Sequence, residues 1–101
     1  MNNNNNINTT STTTINTIVA AMRADLTRWN RQEERANALS RRINAEMETA
    51  DPDRFAVLSK RLHAVYLHGE VAEREGRNLA SALGLIAYYR EEVINHLKGD
   101  K

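Results

Sequence analysis

Three histidines are the residues best suited to bind a metal or move a proton, and their spacing argues against both. His63 and His68 are five apart, which places them on different faces of a helix. His96 follows Glu92 by four, so those two share a face, but no second histidine or carboxylate pair completes a ligand set. Glu70 and Glu73 also share a face, yet the Glu-x-x-His pattern of di-iron bundles is missing. Cysteine is absent, which removes thiolate chemistry and disulfides. Ser11, Ser40, Ser59 and Ser81 lie in no Gly-x-Ser-x-Gly elbow. The four glycines (Gly69, Gly76, Gly84, Gly99) are too scattered to form a phosphate loop. The expectation is therefore a protein that is not an enzyme and needs no metal or cofactor.

Arginine is the remaining chemistry. Arg28, Arg31, Arg35 and Arg42 fall along one side of a helical stretch, and such a stripe can neutralise phosphates. Asp25, Glu33, Glu34, Glu46 and Glu48 are interspersed, with pairs such as Arg31–Glu34 and Arg42–Glu46 at helical spacing. A mixed-charge solvated face is the better reading, and nucleic acid is not the expected partner. The net charge of +1 supplies no strong field towards nucleic acid or membrane. No apolar run approaches the roughly 18 residues of a membrane span. The start, Met1 then Asn2 to Asn6, has neither the basic nor the apolar region of a secretory signal, so a cytoplasmic protein is expected.

The elements that must position these groups follow from apolar spacing. Residues 1–14 are Asn, Thr and Ser around a single Ile7. Such a tract buries too little apolar area to offset its ordering entropy, so a disordered tail is expected. From Ile15 a heptad seam begins: Ile15, Val19, Met22, Leu26, Trp29, Glu33, Ala36, Ser40, Ile43, Met47 and Ala50, with Leu39 beside it. It predicts a helix over 15–49. Asp51-Pro52-Asp53 then stops one helix and caps the next, with a turn at 50–52. A second seam runs through Phe55, Leu58, Leu62, Val65, Gly69, Ala72, Gly76, Leu79, Leu83, Ile86, Arg90, Val93 and Leu97, and predicts a helix over 52–98. The fold expected is all-α, a long antiparallel helical hairpin. The alternative is a three-helix bundle broken near Gly69 or Gly76, since each glycine costs about 1 kcal/mol inside a helix.

A turn near residue 51 makes facing positions sum to about 102. Trp29 would then lie opposite Gly69, Ala72 and Gly76, a bulky ring packed on small residues. The same arithmetic sets residues 87–97 against the tail. Leu79, Leu83, Ile86, Tyr89, Val93 and Leu97, with Leu85 and Tyr88 at the margins, would be left as an interface. The function expected is a protein–protein interaction module, homo-oligomeric or bound to another protein.

Small helical proteins of phages and other mobile elements, inhibitors of host defence among them, are similar in outline, which implies a small adaptor or inhibitor. The Asp51-Pro52-Asp53 turn and the uncharged tail also resemble type III needle subunits. That likeness implies a filament-forming subunit secreted without a cleaved signal. Tyr88-x-x-x-Glu92 is similar to the late motif of WXG-type secreted hairpins, but Trp29 is followed by Asn30 and Arg31 where that family has Trp-x-Gly.

Overall fold

A computed structural model describes residues 3–97, with side chains from Thr12 onward. The chain is all-helical: α1 (Asn3–Met47), α2 (Pro52–Tyr88) and α3 (Arg90–Leu97), with no strand among the described residues. The fold is a helical hairpin.

The turn forms as its residues dictate. After Met47 the chain tightens through bonds from the Thr49 and Ala50 amides to the carbonyls of Glu46 and Met47, at 3.4 and 3.3 Å. Asp51 then caps α2. Its carboxylate accepts from the Arg54 amide at 2.8 Å, and its carbonyl accepts from the Phe55 amide at 2.8 Å. Pro52 occupies the first helical position, where its missing donor is not needed. Asp53 adds negative charge at the positive helix end.

The two seams are the buried faces. Every position from Ile15 to Ala50 in the first frame is buried or half-buried. So is every position from Leu58 to Val93 in the second, while Phe55 and Leu97 at its ends are exposed. The core is thin. Ile15 at 1% and Leu58 at 0% are its two largest fully buried side chains. Ala36, Ile43, Ala72 and Gly76 fill the rest, with Ser40 as the buried polar residue.

Three expectations need revision. First, the bounds of α1 are Asn3–Met47, where the seam predicts a helix over 15–49; Met1 and Asn2 lie outside the described residues. Extending an existing helix avoids the nucleation cost. The Thr17 hydroxyl donates to the Thr13 carbonyl at 2.9 Å, which satisfies a side chain that would otherwise compete with the helix. Thr12, one step beyond Ile15 in the seam, is half-buried. Second, the helix passes through Gly69 and Gly76 as the hairpin reading expects, but it is interrupted at Tyr89. Even there the Tyr89 and Val93 amides bond four residues back, both at 2.9 Å, so the chain does not reverse into a third antiparallel helix. The expected end at Lys98 lies outside the described residues. Third, the register is offset. A Cβ at Gly69 would lie 3.4 Å from that of Ala36, so these two face each other and facing positions sum to 105. Gly69 therefore accommodates Ala36, and one heptad further the same register sets half-buried Trp29 level with Gly76.

The chain divides into two compact units, Thr27–Arg77 and the sequence on either side of it. In the first, the end of α1 and the start of α2 pair across the turn. In the second, the start of α1 meets the end of α2 and α3, and Arg90 donates to the Asn16 side chain at 2.9 Å.

Two substitutions test this packing. Leu58→Ala should destabilise the protein by about 2–5 kcal/mol in urea unfolding, because it opens a cavity at the most buried side chain. Gly84→Ala meets nothing within 4 Å and should stabilise by up to about 1 kcal/mol in the same assay.

Candidate protein interface

The residues expected to form an interface divide between two faces. Leu79, Leu83, Ile86 and Val93 are half-buried in the seam of the unit that contains α3. Tyr89 and Leu97 are exposed, and the two residues placed at the margin are more so: Leu85 at 59% and Tyr88 at 78%. The rings of Tyr88 and Tyr89 meet edge to face, with centroids 4.6 Å apart. The outward apolar surface of this unit is therefore Leu85, Tyr88, Tyr89 and Leu97, with Ile18 of α1 also exposed.

The unit Thr27–Arg77 carries a groove that seam spacing did not reveal. It has a volume of about 810 Å³ and a floor of Leu39, Ile43, Leu58 and Val65. Its rim is Arg42, Arg54, Arg61 and Glu46. A hollow of about 300 Å³ adjoins it through Leu39, Ala64 and Val65 and adds Arg35 and the Gln32–His68 contact at 3.2 Å. Four guanidinium groups surround these hollows with one carboxylate among them. That carboxylate, Glu46, binds Arg54 across the turn at 3.2 Å rather than its expected helical neighbour Arg42.

A second hollow, of about 250 Å³, has the opposite character. Glu33, Glu70 and Glu73 line it together with Tyr66, Asn37 and Ser40. Glu73 also reaches Arg77 at 3.4 Å. The basic and acidic hollows share the seam residues Ala36 and Val65. Their other lining residues flank the seam on opposite sides: Gln32, Leu39 and Glu46 on one, Asn37, Tyr66 and Glu73 on the other. The hollows of the hairpin unit are thus lined by guanidinium groups on one side of the seam and by carboxylates on the other.

Of the arginines expected to contact phosphate, Arg35 and Arg42 line the basic groove. Arg28 and Arg31 are exposed, and Arg28 has a partner of its own. Arg54 and Arg61 were missed as members of this surface. A heptad separates Arg35 from Arg42 and Arg54 from Arg61, so period seven among the charges, rather than the apolar residues, was the signal. Among the described residues no group of three His, Asp or Glu side chains could hold a metal ion, and no helix is long and apolar enough to cross a membrane.

The Arg54–Glu46 pair is exposed, so its coupling should be small. A double-mutant cycle with Arg54→Gln and Glu46→Gln should give roughly 0.2–1 kcal/mol in urea unfolding, reduced by salt. A larger coupling would mean that the pair holds the turn. No protein-family model matches the chain, and neither does any curated protein or solved structure.

Proposed function

We propose that this chain is a non-catalytic protein–protein interaction module that associates with copies of itself. The observation that supports the reading is the balance of apolar exposure. The two largest fully buried side chains are Ile15 and Leu58, while Phe55, Val57, Tyr66, Leu67, Val71, Leu85 and Tyr88 are all exposed. Full burial of a large apolar side chain is worth roughly 1.5–3 kcal/mol, and a half-exposed one forgoes part of it. A chain of this length has little core to offset that, and association is the usual remedy. The same surface would serve an adaptor or inhibitor that docks on a foreign protein.

A second reading draws on the guanidinium groups of Arg35, Arg42, Arg54 and Arg61, whose shared side suits phosphate oxygens. A gel shift with duplex DNA at low salt tests it: binding that falls steeply with salt supports it, and no shift removes it.

Light scattering on a size-exclusion column tests the main reading. The wild type should show a mass above that of one 11.5 kDa chain, rising with concentration. A Tyr66→Glu variant, altered where the side chain faces solvent, should stay helical and shift to smaller species. A wild type that remains a single chain at high micromolar concentration would overturn the self-association reading.

A further inference from the structure

We infer that copies of this chain associate side by side, the acidic side of one hairpin unit seated in the basic groove of the next. The inference rests on the self-association reading and specifies its geometry. The occupant is identified by charge. Arg35, Arg42, Arg54 and Arg61 line one side of the Thr27–Arg77 unit, with Glu46 partly neutralising Arg54. Glu33, Glu70 and Glu73 line the other, with Arg77 partly neutralising Glu73. A chain whose net charge is only +1 thus carries two opposed and complementary sides.

Shape agrees with charge. The acidic side presents Tyr66, 49% exposed and beside Glu70 and Glu73. The basic side presents the larger hollow, with an apolar floor of Leu39, Ile43 and Leu58. An aromatic ring flanked by carboxylates fits an apolar hollow flanked by guanidinium groups. The groove spans residues 54–68 of α2, about 20 Å of helix, enough to seat several turns of a neighbouring helix.

Symmetry follows from this arrangement. A two-fold dimer through the basic side would set arginines against arginines, and one through the acidic side would set glutamates against glutamates. Like charges in register are unfavourable. Because the two sides flank the seam in opposite directions, one isologous contact cannot use both. The contact is therefore heterologous: each copy has one donor side and one acceptor side, and the assembly grows as a ring or an open chain.

Neutral substitutions on each side test this without touching the core. Arg42→Gln with Arg61→Gln disables the groove, and Glu70→Gln with Glu73→Gln disables the opposite side; all four positions are exposed. Circular dichroism checks that both variants stay helical. In sedimentation velocity the wild type should form species that grow with concentration and shrink in high salt. Each variant alone should associate at least about tenfold more weakly. Mixed together they should form a one-to-one complex, because one retains the acidic side and the other the groove. If the wild type assembles but neither variant differs from it, or the mixture forms no complex, the side-by-side contact is wrong while self-association stands. A wild type that never associates removes both.

Discussion

The contact between Gly69 and Ala36 is the constraint on which the rest of the hairpin depends. A Cβ on Gly69 would sit 3.4 Å from that of Ala36, at van der Waals contact, so the two helices of the Thr27–Arg77 unit meet there. Close approach needs small side chains, and the middle of both seams supplies them: Ala36 and Ser40 on α1, Gly69, Ala72 and Gly76 on α2. The register this contact fixes sets which residues lie beside the seam. It brings Gln32 to His68 and Glu46 to Arg54 on one side, and Glu33 into one hollow with Glu70 and Glu73 on the other.

Small residues at the seam also limit what the seam can bury. Ala, Ser and Gly contribute little apolar area, so the stabilisation per turn is modest where the helices are closest. Large apolar side chains lie to the side instead, at Leu39, Val57, Leu67 and Val71. Burying them would require another layer. A two-helix layer with a narrow seam therefore leaves large apolar side chains on its flanks, independent of any motif.

Much of this was legible in the sequence because a heptad frame is a direct record of which helix face is buried. The two frames match burial at every position except Phe55 and Leu97, the two ends of the second frame. Asp51-Pro52-Asp53 marked the turn because its capping chemistry is local. The start of α1 was not legible from local preference. Asn and Thr are weak helix formers, and the tract is helical as a continuation of a seam that begins at Ile15. The outward apolar surface was legible only in part, because a heptad frame marks the buried face and not its flanks. Of the residues expected there, Leu83, Ile86 and Val93 are half-buried in the seam, whereas Leu85 and Tyr88 face outward.

The charged sides were hidden because net charge averages over them. Along α1 alone, Arg35 and Arg42 alternate with Glu33, Glu34 and Glu46, which reads as a mixed solvated face. Pairing the helices sorts these charges. Glu33 turns towards the side of Glu70 and Glu73, and Arg35 and Arg42 towards that of Arg54 and Arg61. Segregation of this kind is a property of the pair, not of either helix, and depends on register. A shift of one helical turn between α1 and α2 would bring different side chains beside each hollow and change its charge. The small-residue contact at Ala36 and Gly69, chemically the least expressive point in the chain, is thus what sets hollows of opposite charge on the two flanks of the Thr27–Arg77 unit.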